Sequence, residues 1–241
     1  MAQIVTIANN KGGTGKTATA IAIAAGFALR GKRTLLVDMD AQVNATLAMR
    51  IPTTAGTCFE LLRGTPVQPA QIGANLWGIG STQDMNIIDR QVDISNGTAV
   101  AAALKPYAGQ YDYIVLDTPP AMGLLTINCL NAADRVVIPL QASYLALQGM
   151  GVIMEALQAL KKTQAYNVVV TMYDGRKTLH RQLLEAIQNT YGTAVVSTPV
   201  RSNVALQEAP ASGSSIFEYA PKSIGAQDYR AVVEELLQKY E

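Results

Sequence analysis

The sequence predicts an α/β fold in which a mostly parallel, twisted sheet is flanked by helices on both faces. Three observations support this fold class: short apolar segments alternate with helical patterns, two of those segments end on an aspartate, and the first is followed by a glycine-rich loop. Strands that are buried on both faces read as nearly continuous apolar runs. Ligands of such sheets bind beyond the carboxyl ends of the strands, so we expect the loop and the two aspartates to share one site.

The predicted elements follow in chain order. Residues 2–8 form a short strand with β-branched residues, and the alanine-rich residues 17–29 form the first helix. Helical patterns separate the remaining predicted strands, which are residues 33–38, 76–79, 113–117, 135–140 and 168–171. The chain has 241 residues, of which 49% are hydrophobic and 15% charged, so residues 1–241 are predicted to form one domain. Residues 211–215 (ASGSS) are predicted to be a surface loop.

The loop after the first strand reads K-G-G-T-G-K-T from Lys11 to Thr17. In loops of the G-x-x-x-x-G-K-[ST] type, backbone N–H groups converge on phosphates, the lysine reaches the β/γ oxygens and the hydroxyl ligates Mg²⁺. Here Asn10 replaces the first glycine, and a second lysine precedes the loop. The first turn of the next helix would also direct its N–H groups at the phosphates. The predicted nucleotide contacts are Lys11, Gly12, Gly13, Thr14, Gly15, Lys16, Thr17 and Ala18.

Aspartates at two strand ends complete the predicted site for ATP and Mg²⁺. Asp117 closes an apolar strand and precedes T-P-P, the Walker B arrangement, in which a carboxylate holds Mg²⁺, usually through water. Asp38 and Asp40 begin the segment D-M-D-A-Q-V-N-A-T at the end of another strand. The predicted metal ligands are Thr17, Asp38 and Asp117.

These motifs resemble those of the ParA/MinD family of P-loop ATPases, which carry a deviant Walker A loop with an additional lysine. The resemblance extends through T-M-Y-D-G-R at residues 171–176 and T-P-V-R-S-N-V-A-L-Q-E-A-P at residues 198–210, and is strongest to small ParA-type partition or cargo-positioning ATPases. It implies that Asp38 binds Mg²⁺ through water and that Asp40 positions or activates the attacking water. In the family, proline is usual at the position of Ala41 and glycine is common at the position of Val43. We therefore expect the stiffness of this loop and the rate of hydrolysis to differ from those of the family.

The resemblance also assigns roles to the two lysines and to the adenine site. Lys11 would reach across a dimer interface to the partner's ATP, where positive charge stabilises the transition state of phosphoryl transfer. Hydrolysis would then depend on dimerisation. The predicted catalytic residues are Lys11, Lys16 and Asp40. The residues expected near adenine are Thr171, Met172, Pro199 and Val200.

The implied partners are those of a ParA-type switch. Such proteins form a homodimer with ATP, bind non-specific DNA of the nucleoid in that state, and are released when an adaptor protein on the cargo stimulates hydrolysis. A plasmid or chromosome is the first expected cargo, and a carboxysome or other protein assembly is the second. We therefore expect a cytoplasmic protein that is nucleoid-associated in its ATP state, without stable membrane association.

The formal net charge is only +1, so any affinity for DNA must come from a local basic patch. The candidate DNA contacts lie in two segments of the C-terminal third and are Arg176, Lys177, Arg181 and Arg201. Further basic candidates are Lys161, Lys162, Lys222 and Arg230. The family commonly has a basic residue in its N-V-R-L segment, and Ala205 stands at that position here. We therefore expect the basic patch to be displaced or weaker.

Two alternatives share this fold. A MinD-like membrane-surface ATPase would need a basic amphipathic C-terminal helix, whereas the polar face here carries Glu234, Glu235 and Glu241. We expect that helix to pack on the core through an apolar stripe formed by Tyr229, Val232, Val233, Leu236, Leu237 and Tyr240. A metabolic or electron-transfer enzyme related to the nitrogenase iron protein would need paired cysteines for an Fe–S cluster. The spacing of Cys58 and Cys129 does not match, and we expect both to be buried.

Overall fold

The computed structural model describes residues 1–163 and 165–240, and in this part of the chain seven strands form one sheet. The strands are β1 (Gln3–Ile7), β2 (Thr34–Asp38), β3 (Ala70–Gly73), β4 (Leu76–Ile79), β5 (Tyr113–Asp117), β6 (Arg135–Gln141) and β7 (Tyr166–Thr171). Their order in the sheet is β3-β4-β2-β5-β1-β6-β7. All neighbouring pairs are parallel except β3 and β4. The predicted α/β class and its mostly parallel sheet are confirmed.

Helices connect the strands and lie on both faces of the sheet. The longer helices are α1 (Lys16–Leu29), α6 (Leu124–Ala132), α7 (Tyr144–Ala159), α8 (Thr178–Tyr191), α9 (Ala205–Ser212) and α11 (Ile224–Tyr240). The shorter ones are α2 (Asn44–Ala48), α3 (Cys58–Leu62), α4 (Ile88–Gln91), α5 (Ala99–Leu104) and α10 (Ile216–Tyr219). No helix among the described residues combines the length and apolarity needed to cross a membrane.

The last helix packs on α1 as its apolar stripe predicts. Tyr229 is 1% exposed, and its hydroxyl group hydrogen-bonds the Thr19 hydroxyl at 2.8 Å. The two helices approach closely at Gly26, where a Cβ atom would collide with a methyl group of Val233. The remaining residues of the stripe are also buried, whereas Glu241 lies outside the described residues. Much of this helix surface therefore belongs to the core and is not available to a lipid surface.

Two local differences from the sequence predictions concern short elements. The edge strand β3 was not predicted, because its four residues include glutamine and glycine and it pairs only with β4. Residues 211–215 are not a simple surface loop: Ser212 ends α9, Gly213 caps it with φ 73°, and the buried Ser215 forms a capping box with Glu218 at the start of α10. The edge strand depends on its pairing with β4, whereas the caps at Gly213 and Ser215 are local signals, a C-terminal glycine and an S-x-x-E capping box.

The cysteines are buried in the core, as predicted. Cys58 begins α3, Cys129 lies within α6, and both are fully shielded from solvent. Burial raises the pKa of the Cys129 thiol to about 12, so it stays protonated at neutral pH. An Fe–S cluster shared across a dimer interface needs accessible thiolates, and these two side chains do not provide them.

Candidate functional site

The glycine-rich loop runs between the end of β1 and the start of α1, at the carboxyl edge of the sheet. Gly13 and Gly15 adopt left-handed backbone angles, with φ of 74° and 87°, which glycine adopts without a Cβ clash. Asn9 is buried and anchors the loop, because its side chain donates to the Pro139 carbonyl at 2.6 Å and accepts from the Lys11 N–H at 3.0 Å. Asn9 was not predicted as a site residue, because an asparagine before a phosphate loop has no distinctive sequence pattern.

The two loop lysines occupy different environments. Lys16 is 8% exposed, and its ammonium group donates to the Lys11 carbonyl at 3.0 Å. Burial lowers the pKa of Lys16, and the charges of Asp117 and Asp40 oppose that shift. Lys11 is half-buried, and its ammonium group has no hydrogen-bond or ion-pair partner among the described residues. One lysine is therefore held within the loop, and the other is free to bind outside its own chain.

The parallel register brings the two strand-end aspartates together. Strand β5 lies between β1 and β2, so that Asp117 pairs in register with both Ile7 and Asp38. Both carboxylate oxygens of Asp117 are buried, and neither has a hydrogen-bond partner of ordinary geometry in the part of the chain that the structure describes. Burial, and secondarily the charge of Asp38, raises the pKa of Asp117 well above its usual value, and the nearby Thr17 hydroxyl opposes this shift.

This donor set fits Mg²⁺ together with a nucleotide. Mg²⁺ keeps several water ligands and usually binds through one or two carboxylates and substrate phosphates. Asp117 and the Thr17 hydroxyl would hold the ion, directly or through water, and Lys16 would contact the phosphates. A divalent cation supplies charge that stabilises phosphate oxygens, and its proximity would favour the ionised form of the unpartnered Asp117.

Asp38 differs from Asp117 because protein donors occupy its carboxylate. Its Oδ2 atom accepts from the Thr46 N–H at 2.8 Å and from the Thr46 hydroxyl at 2.7 Å, and its Oδ1 atom accepts from the Asp40 N–H at 3.0 Å. Burial raises the pKa of Asp38, and the hydrogen bonds from Thr46 and Asp40 act in the opposite direction. A water molecule bound to Mg²⁺ would therefore have to contact Asp38 in addition to these protein hydrogen bonds. The binding of Mg²⁺ through water to Asp38 remains a prediction.

The segment that carries Asp40 contains an unusual backbone conformation. Asp40 is 7% exposed, and its Oδ1 atom accepts from the Gln42 N–H at 3.0 Å. Val43 has a φ of 53°, in the left-handed region that β-branched residues rarely adopt. Such a conformation costs about 1–3 kcal/mol. Glycine is common at this position in the resembling family, so the valine here increases strain in the segment next to Asp40.

A cavity of about 460 Å³ opens beside the loop. The loop, the first half of α1, Asp40, α2 and Pro120 contribute to its lining. Further lining residues come from α9, α10 and the turn between them, and these are Leu206, Ala209, Pro210, Ser214 and Ile216. These five residues were not predicted as site residues, because the E-A-P segment indicates the family but has no side chain typical of a nucleotide site. The mixed polar and apolar lining is suited to a nucleotide, whose phosphates are charged and whose base is flat and largely apolar.

The four residues expected near adenine do not line this cavity. The Thr171 hydroxyl donates to the Thr14 carbonyl at 2.9 Å, so Thr171 supports the loop directly. Val200 is buried, and its N–H donates to the Val170 carbonyl at 2.8 Å. Met172 is 36% exposed with a φ of 53°, and Pro199 is half-buried. Their contact with adenine remains a prediction.

The basic candidates lie in adjacent segments, because Tyr173 and Arg201 form a parallel bridge. Lys177 and Arg181 are exposed, at the start of α8. Arg176 is exposed but pairs with Asp174 at 2.9 Å. Arg201 pairs with Asp228 at 2.5 Å, and only 4% of the Asp228 side chain is exposed.

Carboxylates therefore offset part of the charge of the predicted patch. Among the further basic candidates, Lys162 donates to the Ala133 carbonyl, and Arg230 donates to the Pro221 carbonyl at 2.7 Å.

Comparison with known proteins agrees with the fold. Residues 2–172 match a family model described as an AAA domain. The chain is 38% identical over 243 residues to the chromosome-partitioning ATPase Soj of Thermus thermophilus, with 97% of this chain and 94% of that protein covered. It is 37% identical over 253 residues to the chromosome partitioning protein ParA of Myxococcus xanthus, with 98% and 88% covered.

A solved structure shows the same fold at lower identity. The septum site-determining protein MinD of Pyrococcus horikoshii, complexed with Mg-ADP, superposes with a TM-score of 0.84 at 21% identity. The match covers 100% of this chain and 98% of that one. Near-complete coverage by the sequence relatives, together with the glycine-rich loop and the paired strand-end aspartates, shows that this chain belongs to the ParA/Soj family of P-loop ATPases.

Proposed function

We propose that this protein is an ATP-dependent dimerising switch that binds non-specific DNA in its ATP state and partitions or positions a cargo. ATP and Mg²⁺ are its cofactors, and an adaptor protein on the cargo stimulates hydrolysis and release. A chromosome or plasmid is the first cargo to consider, since the two sequence relatives are named for chromosome partitioning. A carboxysome or other protein assembly is the second. The site of action would be the nucleoid.

The observation that carries this proposal is the contrast between Lys16 and Lys11. Lys16 is buried beside Asp117 and Asp40, where it can serve the nucleotide of its own chain. Lys11 stands at the front of the same loop, and its ammonium group has no partner among the described residues. A cation delivered from a second subunit stabilises transition-state charge only when the dimer forms. Dimerisation would then control hydrolysis.

Size measurement with Mg²⁺ and ATP, ADP or no nucleotide tests the dimerisation step. We expect a dimer only with ATP. Lys16→Ala should lose nucleotide binding, whereas Lys11→Ala should keep some binding and fail to dimerise or hydrolyse. Lys105→Ala, which alters an exposed lysine outside the loop, is the matched control and should behave like the unmodified protein. A monomer under every nucleotide condition would refute the switch.

Titration of labelled random-sequence DNA tests the second step. We expect binding only with ATP, because a symmetric dimer doubles the basic patch on a chain whose formal net charge is +1. The logarithm of affinity should fall with the logarithm of salt by about 0.9 per neutralised phosphate. Arg176→Ala should weaken all sequences alike and flatten this slope by about one for each phosphate that the variant no longer neutralises.

A complementary variant tests the location of the basic patch. Ala205→Arg should strengthen DNA binding if the patch has the location usual in the family. DNA binding that does not depend on the nucleotide, or no DNA binding at all, would leave the proposed ATPase activity standing. The protein would then have to move its cargo along a surface other than DNA.

A further inference from the structure

Thr46 lies in α2 and connects the aspartate pair to the end of a neighbouring strand. Its hydroxyl group donates to Asp38 at 2.7 Å and accepts from the Ser81 N–H at 2.8 Å. Its own N–H donates to the same Asp38 oxygen at 2.8 Å. Thr46 is 7% exposed and Ser81 is 2% exposed, so water does not readily replace these hydrogen bonds. The side chain therefore links Ser81, the second residue after β4, to the carboxyl end of β2.

The same chain of hydrogen bonds continues to Asp40. The second oxygen of Asp38 accepts from the Asp40 N–H at 3.0 Å, so the orientation of the Asp38 carboxylate sets the backbone position of Asp40. Rotation of that carboxylate would break the hydrogen bonds from Thr46 and Asp40 together. Because buried hydrogen bonds to a charged group are strong and directional, the arrangement has little freedom.

Packing at Gly80 allows this connection. A Cβ atom at residue 80 would lie 3.0 Å from the Thr46 methyl carbon and 3.3 Å from its hydroxyl oxygen. Glycine therefore lets Thr46 approach the chain just beyond β4. The Gly80 carbonyl in turn accepts from the Cys58 N–H at 2.9 Å, which ties α3 to the same point.

We propose that Thr46 is a positioning residue of the nucleotide site, which holds Asp38, and through it Asp40, in place for hydrolysis. This inference rests on the proposed ATPase function and adds a residue that does not itself touch the nucleotide. Among the described residues Asp117 has no such support, since both of its oxygens are buried without a hydrogen-bond partner of ordinary geometry. The two strand-end aspartates thus have different tasks: Asp117 binds the ion, and Asp38 fixes the geometry of the catalytic segment.

Paired substitutions test this proposal. Thr46→Val keeps the shape of the side chain and removes the hydroxyl, whereas Thr46→Ser keeps the hydroxyl. Thr34→Val is the matched control, because Thr34 is fully buried at the opposite end of β2 and its hydroxyl makes one hydrogen bond, to the Lys32 carbonyl at 3.0 Å. Gly80→Ala displaces Thr46 without altering it.

The first measurement is amide hydrogen exchange of the nucleotide-free protein. Thr46→Val removes the hydroxyl hydrogen bonds to Asp38 and from the Ser81 N–H, so it should accelerate exchange in residues 38–46 and at Ser81 by at least about tenfold, the equivalent of about 1.4 kcal/mol. Thr46→Ser and Thr34→Val should leave that region unchanged. Gly80→Ala should reproduce the effect of Thr46→Val in the same peptides.

The second measurement is ATP turnover, with affinity for a fluorescent ATP analogue measured in parallel. Thr46→Val should lower kcat by about 10–100-fold, the usual effect of losing a supporting hydrogen bond, with little change in nucleotide affinity. Thr46→Ser should restore most of the turnover. The proposal is overturned if Thr46→Val retains full turnover, if Thr46→Ser is as defective as Thr46→Val, or if Thr34→Val is equally defective. If the unmodified protein lacks ATPase activity, the proposed function fails, and hydrogen exchange still tests the positioning.

Discussion

Substitution of Asp117 by asparagine should stabilise the nucleotide-free protein while removing its response to Mg²⁺. The carboxylate is fully buried, its oxygens lack hydrogen-bond partners of ordinary geometry among the described residues, and the charge of Asp38 adds repulsion that the Lys16 charge partly offsets. An unsatisfied buried group costs about 1–3 kcal/mol, and more when it is charged. The asparagine amide would still be buried and unpaired, so only the additional cost of the charge is removed, and the free energy of unfolding should rise by about 1 kcal/mol. For a domain of this size, each kcal/mol shifts the melting temperature by about 2–4 °C.

Asp38→Asn is the contrasting variant. Asp38 uses both carboxylate oxygens as acceptors, one for Thr46 and the other for the Asp40 N–H. An amide has a single oxygen, so its NH₂ group must face one of these donors. We expect Asp38→Asn to lower the free energy of unfolding by about 1–3 kcal/mol. Two aspartates paired in register should thus respond with opposite sign to the same substitution.

Thermal unfolding with and without Mg²⁺ and ATP is the assay. A ligand that binds only the folded state at about 100 times its Kd adds about 2.7 kcal/mol of stability. In the unmodified protein, Mg²⁺ with ATP should raise the free energy of unfolding by an amount of this size. Asp117→Asn should lose most of this increase. If nucleotide-free Asp117→Asn unfolds as easily as Asp38→Asn, the unpartnered carboxylate is not a source of instability and the reasoning is wrong.

The pH dependence provides a further check on Asp117. Burial raises its pKa, so the folded protein retains this proton to a higher pH than the unfolded chain does. Its contribution to the stability of the nucleotide-free protein is therefore lost as pH rises through the folded-state pKa. Asp117→Asn should not lose stability in this way, because its side chain does not titrate. The stability advantage of the variant should be small near the ordinary aspartate pKa of about 3.9 and grow as pH rises.

Two other substitutions test residues of the proposed switch. Asp40→Ala should bind ATP and trap the dimer, with turnover reduced at least about 10²-fold, as measured by phosphate release and particle size. Unchanged turnover would assign the catalytic role to another residue. Arg201→Ala should lower the free energy of unfolding by about 1–3 kcal/mol in urea titrations, because the buried Asp228 loses the guanidinium group and keeps, among the described residues, only the hydrogen bond from the backbone N–H of residue 201. Arg176→Ala should change the free energy of unfolding by less than about 0.5 kcal/mol. If the two variants lost the same free energy of unfolding, a structural role for Arg201 would be contradicted.

Local patterns in the sequence determined the sheet, the phosphate loop and the family. The apolar strands and the K-G-G-T-G-K-T loop depend on residues close together in the chain, so spacing alone indicates them. The predicted strands at residues 76–79 and 113–117 match β4 and β5. The burial of the last helix was also predicted, because its apolar stripe repeats at helical spacing.

Only the tertiary structure distinguished Asp117 from Asp38. Both are strand-end aspartates, and the sequence predicted a Mg²⁺ role for each. The difference arises because Thr46 folds back onto Asp38, while among the described residues no donor hydrogen-bonds Asp117 with ordinary geometry, although the Thr17 hydroxyl is nearby. The environment of Arg201 depends likewise on Asp228, which lies 27 residues further along the chain. Hydrogen bonds between distant segments depend on how helices and strands pack, and residue spacing does not encode that packing.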